Sequence, residues 1–285
     1  MTDLPIYPSF HSATIKQGLS FEERARLASD AGYRATAFDV QGGLEFDRDH
    51  GAGAAKGLLK SQGLEPSGWG GAPSVFASEE DFEKGLRQLE VNAAFAADAG
   101  AGNCAAFIPN RTDRPQDESL ELVARRLAAI AEVLRDHGFS LGLEFCGPDM
   151  FKDKPFRFLT GVSGAMEIAR ASGAANIGVL ADSFHLFCSG STPEDIPALA
   201  SGEVKAVHIN DAPHDDVSTL LDADRVMPGD GVIPLTRFLL ALDEAGYAGP
   251  AEVELFNPKY REIDPLDAAT EARVKAESAI QTAFN

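Results

Sequence analysis

The sequence predicts an α/β protein, a single (β/α)8 barrel over residues 1–285. Three observations point to it. Short apolar runs alternate with longer amphipathic segments along the whole chain, which calls for parallel strands joined by helical crossovers of one hand. The alternation repeats eight times, and 285 residues match the ~250 typical of a barrel of eight such units. Four consecutive runs in the C-terminal half end on a carboxylate or imidazole, at Glu144, Asp182, His208 and Glu254, where a parallel barrel carries its chemistry.

The elements follow in order. A first strand ends near Phe10-His11. Ser20 with Glu23 three residues on forms a capping box for a helix from Ser20 to Ala31, stopped by Gly32. Ala35 to Val40 reads as strand two, Ala52 to Gln62 as a helix and Leu64 to Trp69 as strand three. Ser78 opens a long helix to Ala99, with Glu79, Glu80 and Asp81 against the positive end of its dipole. Gly102 to Ile108 is strand four. Leu120, Ala124, Leu127, Ala131 and Leu134 then mark one face of a 3.6-residue helix closed by Gly138. Strand five runs Ser140-Leu-Gly-Leu-Glu144, strand six Ile177-Gly-Val-Leu-Ala-Asp182, strand seven Val204-Lys-Ala-Val-His208 and strand eight Ala251-Glu-Val-Glu254. Helices are expected at Gly161 to Ala171, briefly after Pro193, at Leu235 to Ala245 and at Asp267 to Thr282.

An open doubly wound sheet is the rival architecture, but it would place a Gly-rich phosphate loop after the first strand. None is there. Gly51-Ala-Gly53-Ala-Ala-Lys-Gly57 has the spacing of neither a dinucleotide fingerprint nor a P-loop, and reads as a loop and helix start. No Pro/Ser-rich linker divides the chain, so one domain is expected.

Composition narrows the function. Lys+Arg total 25 against Asp+Glu 44, a formal charge of -19. That field repels nucleic-acid phosphates and anionic membrane surfaces, so neither is an expected partner. No run reaches the ~20 apolar residues of a membrane span, and the N-terminus lacks a signal-peptide pattern. Cys104, Cys146 and Cys188 form neither a disulfide framework nor a C-x-x-C pair. Reduced thiols and a cytoplasmic location are expected. Cys146, two residues beyond Glu144, reads as a small buried filler.

Three carboxylates and an imidazole from consecutive strand ends make an oxygen-rich metal site, suited to Mn²⁺ or Mg²⁺, with Zn²⁺ or Co²⁺ as alternatives. His185, three residues after Asp182, either reaches substrate as a ligand or acid/base, or caps its loop. Arg225 lies in the turn-rich Asp224-Arg-Val-Met-Pro-Gly-Asp-Gly231 and either anchors that loop or clamps a substrate oxygen. Asn210 and Asp211 are expected to shape the loop behind His208, and His214 reads as a surface residue.

Leu143-Glu144-Phe145, Asn176-Ile-Gly-Val-Leu-Ala-Asp-Ser-Phe-His185, Val207-His-Ile-Asn-Asp211, Asp222-Ala-Asp-Arg-Val-Met-Pro-Gly-Asp-Gly231 and Val253-Glu-Leu-Phe-Asn-Pro-Lys-Tyr260 resemble the xylose-isomerase-like TIM-barrel superfamily of sugar (phosphate) isomerases and epimerases. Within it the likeness is greatest to the inosose (2-keto-myo-inositol) isomerase family. The resemblance covers the C-terminal half; the N-terminal half matches only in general pattern. It implies that Glu144, Asp182, His208 and Glu254 hold one divalent ion, Mn²⁺ by preference, and that His185 contacts substrate. It also implies a sugar or cyclitol substrate and a homodimer. Where many relatives carry Glu at the end of strand two, this chain has Asp39. His11, Trp69 and Asn110-Arg111 are expected at the same mouth, His11 and Trp69 as substrate-binding residues, though a lone Trp also serves packing.

The expected reaction is isomerisation or epimerisation by proton transfer next to a ketone, with Glu144 and Glu254 as base and acid, or His185 as acid. A lyase on the same site is the alternative, either a dehydroshikimate-type dehydratase or a C-glycoside deglycosidase acting on a 3-keto sugar. The superfamily's DNA-repair branch needs more metals and more His ligands than this chain's six His supply. A non-catalytic carbohydrate binder has little use for the metal quartet.

Overall fold

The computed structural model describes residues 4–285. In chain order the elements are β1 (Ile6–Phe10), α1 (Phe21–Asp30), β2 (Ala35–Thr36), α2 (Val40–His50), α3 (Ala54–Ser61), β3 (Glu65–Pro66), α4 (Glu79–Ala99), β4 (Cys104–Ile108), β5 (Arg111–Thr112) and α5 (Gln116–Asp136). They continue with β6 (Leu141–Phe145), β7 (Phe156–Arg157), α6 (Gly161–Ser172), β8 (Ile177–Asp182), α7 (Ser183–Ser189), β9 (Val204–Ile209), α8 (Leu235–Glu244), β10 (Gly249–Val253), α9 (Pro258–Arg261) and α10 (Pro265–Phe284).

Eight parallel strands form one sheet in the order β3-β2-β1-β10-β9-β8-β6-β4. Its two edges meet through a parallel bridge between Trp69 and Cys104. There Trp69 N donates to Asn103 O at 3.2 Å and Ala105 N to Trp69 O at 2.8 Å. The ring is thereby closed, and the (β/α)8 barrel is the fold. The core lies inside the barrel and between barrel and helices. On α5 the face expected from periodicity is the buried one, with Leu127, Ile130 and Leu134 fully enclosed. Truncating any of these to Ala costs about 2–5 kcal/mol in a core of this kind.

Several elements differ from expectation, each for a local reason. Strand two is two residues long, because Asp39 already caps a helix: its Oδ1 accepts from Gly42 N at 3.0 Å. That helix, α2, is not apparent in the sequence because Gly42 and Gly43 lower helix propensity. Packing demands both glycines. A Cβ on Gly42 would sit 2.3 Å from Asp39 Oδ2, and one on Gly43 2.8 Å from the Phe95 ring. The helix expected from Ala52 shortens to α3. Directly after Asp182 comes α7, a short helix in place of an expected loop, while Pro193–Asp195 is only a 3-10 turn. β5 and β7 pair antiparallel as a two-stranded ribbon outside the barrel. The Ser20–Glu23 capping box forms as expected.

Candidate active site

β6, β8, β9 and β10 deliver Glu144, Asp182, His208 and Glu254 to the C-terminal mouth of the barrel. One ligand atom from each lies within 4.8 Å of all the others. His208 Nδ1 is at the centre, 3.0 Å from Glu144 Oε1, 3.4 Å from Glu254 Oε2 and 3.6 Å from Asp182 Oδ2. Asp182 is fully buried, and His208 and Glu254 are nearly so.

Asp182 and Glu254 are held in place by bonds from outside the cluster. Asp182 Oδ1 accepts the first amides of α7, Phe184 N at 2.8 Å and His185 N at 2.9 Å. Asp182 Oδ2 accepts from Asn210 Nδ2 at 3.0 Å, and Asn210 also joins Ser183 to the carbonyl of Glu254. Arg225, enclosed completely, places Nη1 2.9 Å from Asp182 Oδ2 and 3.0 Å from Glu254 Oε2, and Nη2 3.1 Å from Asp222 Oδ1.

Electrostatics follow from this crowding. Burial opposes ionisation of Asp182, but Arg225 and then His185 hold its carboxyl well below the usual range. Burial likewise opposes Glu254, yet His208 and His11 hold it low. Burial pushes the His208 pKa down, but Glu254, Glu144 and Asp182 together outweigh it, so the pKa lies well above the ordinary imidazole value. Three carboxylates thus converge at a buried point where Arg225 is one compensating cation. Hard oxygen donors plus one imidazole, with surplus negative charge, fit a divalent ion.

A cavity of about 520 Å³ opens over this cluster. His11, Asp39, Gln41, Trp69, Phe107, Glu144, His208, Glu252 and Glu254 are among its walls, and among the described residues no Lys or Arg lines it. His11 is well placed: its Nε2 lies 3.5 Å from Glu254 Oε1, and its ring is partly exposed. Trp69 borders the cavity, but its indole is committed elsewhere, with Nε1 donating to Gly102 O at 3.0 Å and the ring packed edge-on against Phe139.

Two expected substrate contacts lie behind the cavity wall. Arg225 is enclosed and bridges Asp182 and Glu254, which matches the anchoring alternative of the two. His185 is 2% exposed and absent from the cavity wall. Its Nδ1 lies 3.2 Å from Gly147 N and its Nε2 3.0 Å from Arg225 Nη2, so both ring nitrogens face protein donors, of which a neutral ring accepts one. Asn110 and Arg111 also turn away: Asn110 Nδ2 donates to Pro148 O at 2.8 Å, and Arg111 pairs with Asp149. Cys146 is the buried filler, its thiol pushed up to about 12 by burial.

Sequence reasoning missed Glu252 and Phe107. Glu252 lies two residues before Glu254 and therefore faces the same side of β10. That parity was the available signal. Phe107, 40% exposed, stands over the cavity at a ring distance of 6.0 Å from His185.

A family model described as xylose isomerase-like TIM barrel matches residues 25–279. The chain belongs to this family. Among curated members, an inosose isomerase from Bacillus velezensis is 26% identical over 281 residues, covering 96% of this chain and 97% of that one. An inosose isomerase from Halalkalibacterium halodurans is 34% identical over 147 residues, an aligned stretch spanning 52% of this chain and only 50% of the relative. A solved xylose isomerase domain protein from Alicyclobacillus acidocaldarius superposes with a TM-score of 0.91 at 28% identity, covering 98% of this chain and all (100%) of that one. A solved IOLI protein with a bound zinc atom superposes at 0.84 and 22% identity, covering 98% and 99%, which shows a shared fold.

Proposed function

We propose that this xylose isomerase-like barrel is a divalent-metal-dependent isomerase or epimerase that moves a proton next to the ketone of a sugar or cyclitol. The observation that carries the reading is the convergence of Glu144, Asp182, His208 and Glu254 beneath a cavity large enough for one sugar ring. The inosose isomerase relatives support a cyclitol ketone as substrate. The absence of Lys and Arg from the cavity wall supports an uncharged substrate over a sugar phosphate.

Glu144, Asp182, His208 and Glu254 would hold the ion. When bound, it supplies Lewis-acid stabilisation of the negative charge that develops on the carbonyl oxygen. Glu144 and Glu254 border the cavity from non-adjacent strands, β6 and the end of β10, with β8 and β9 between them. One, ionised, would take the α-proton, leaving an enediolate; the other, entering the cycle protonated, would return its own proton to the neighbouring carbon (with a hydroxyl proton crossing between the two oxygens) or to the opposite face, and solvent would then restore the starting protonation. Both must approach the carbon acid within hydrogen-bond reach. His11, whose Nδ1 accepts from Ala13 N at 3.2 Å and whose Nε2 faces Glu254 Oε1, orients that carboxylate at the cavity wall.

The test is deuterium uptake. Mn²⁺-loaded protein in D₂O is incubated with inososes, ketohexoses and 3-keto glycosides, and each α-proton is followed by NMR. Exchange with an isomerised or epimerised product supports the proposal and names the substrate class. Exchange followed by loss of water or an aryl group moves the protein to the lyases, a reading favoured by the 33% identity over 99 residues with a 3-dehydroshikimate dehydratase of Pseudomonas aeruginosa. No exchange across the panel overturns the substrate class.

A further inference from the structure

Below the metal-ligand cluster, Ser9, Glu252 and His208 are in-register neighbours on the adjacent strands β1, β10 and β9. All three are buried. A buried carboxylate at this depth is costly unless its oxygens are satisfied. One oxygen is fixed: Glu252 Oε1 accepts from Ser67 Oγ at 2.7 Å and from Gly68 N at 2.8 Å. Ser67 Oγ is itself held by Ser9 Oγ at 2.8 Å. Residue 68 leaves no room for a side chain here, since a Cβ would stand 2.9 Å from Glu252 Oε1. The other oxygen, Oε2, faces His208 Nε2 at 3.5 Å. His208 therefore has one ring nitrogen toward Glu252 and the other, Nδ1, toward Glu144, Asp182 and Glu254.

We propose that Glu252 is a positioning residue for the metal centre: it holds the His208 imidazole with the proton on Nε2, so that the Nδ1 lone pair is presented to the ion. The inference rests on the metal reading above. An imidazole binds a cation through one nitrogen while the other donates to a partner, and a carboxylate partner fixes both ring orientation and tautomer.

The two oxygens of Glu252 give the proposal an unusual signature. In Glu252→Gln the amide oxygen takes the place that accepts from Ser67 and Gly68, which leaves the NH₂ group pointing at His208 Nε2. That group donates, so it favours an unprotonated Nε2 and puts the proton on Nδ1, against the ion. Glu252→Ala imposes no such preference. A role in packing alone predicts the reverse, with the isosteric Gln harmless and Ala damaging. Both variants lose the same charge, so their order isolates orientation from charge.

The experiment is calorimetric titration of Zn²⁺ into metal-stripped wild-type, Glu252→Gln, Glu252→Ala and Gly68→Ala proteins, each first shown by thermal unfolding to be folded. Expected losses of affinity are about 10- to 100-fold, larger for Gln than for Ala. Gly68→Ala, which crowds Oε1, falls in the same direction. In the Zn²⁺-loaded wild type, NMR of ¹⁵N-His protein shows a slowly exchanging Nε2–H on His208, and Glu252→Gln loses that protection. Wild-type affinity and an unchanged Nε2–H signal in Glu252→Gln would overturn the positioning role while leaving the metal site standing. Failure of the wild type to bind Zn²⁺ or Mn²⁺ would overturn the metal reading and this inference with it.

Discussion

Arg225 Nη1 bridges Asp182 Oδ2 and Glu254 Oε2, at 2.9 and 3.0 Å, with none of the three side chains more than 9% exposed. One guanidinium thus holds apart two carboxylates that would otherwise repel at close range in a dry site. It also fixes the loop that carries it, since Asn257 Nδ2 donates to Arg225 O at 3.1 Å.

Arg225→Ala should destabilise metal-free protein by about 3–5 kcal/mol, the cost of leaving a buried ionic partner unpaired. Urea unfolding measures it. A bound divalent ion supplies the missing positive charge, so saturating Mn²⁺ should recover part of the loss. An equal deficit with and without Mn²⁺ would separate Arg225 energetically from the metal cluster.

Dialysis against EDTA should abolish turnover, and added Mn²⁺ should restore it. If the folded protein binds the ion as proposed, while the unfolded chain lacks the assembled cluster, metal should also raise stability, by about 2.7 kcal/mol at a free concentration of 100 Kd. Chemical denaturation of stripped and reloaded protein gives this difference. Full activity after stripping, with no residual metal by elemental analysis, would remove the requirement.

Glu144→Ala and Glu254→Ala should each lower kcat by about 10²- to 10⁴-fold, the usual worth of a positioned acid or base. Glu144 is the less buried of the two, so its variant should stay closer to wild-type stability. Near-normal turnover in either would sink the two-glutamate mechanism. The α-proton exchange rate distinguishes their roles: the variant lacking the base loses exchange, whereas the one lacking the acid retains it.

Much of this site was legible in the sequence because strand-end chemistry is local. Ile177–Asp182 has the bounds its apolar run predicts, and Glu144, Asp182, His208 and Glu254 converge because β6, β8, β9 and β10 are neighbours in the sheet. What the sequence concealed was pairwise and distant. Whether Arg225 touches substrate depends on the positions of Asp182 and Glu254, 43 and 29 residues away in sequence. The burial of His185 was not legible because α7, seven residues long, carries too little periodicity to announce itself. With α7 formed, His185 is turned into the protein toward Arg225. α2 was hidden by Gly42 and Gly43, and the reason for Gly43 lies in Phe95 on another helix.

The ribbon of β5 and β7 carries the last prediction. Arg111 Nε lies 2.6 Å from Asp149 Oδ1 and Nη2 3.1 Å from Oδ2, a two-pronged pair that ties the ribbon to the segment after β6. The Arg111 hydrogen bond holds the Asp149 carboxyl below its ordinary range. A depressed folded pKa means that the unfolded chain binds the proton more readily, so the pair's contribution is present above the unfolded value, near ~3.9, and fades as pH falls through the folded one. Asp149→Asn should therefore flatten part of the decline in thermal midpoint between neutral pH and about pH 3, while lowering the midpoint at neutral pH. The pair is partly exposed, so high salt should shrink both effects. Parallel acid profiles for the two proteins would show that Asp149 titrates without coupling to the fold.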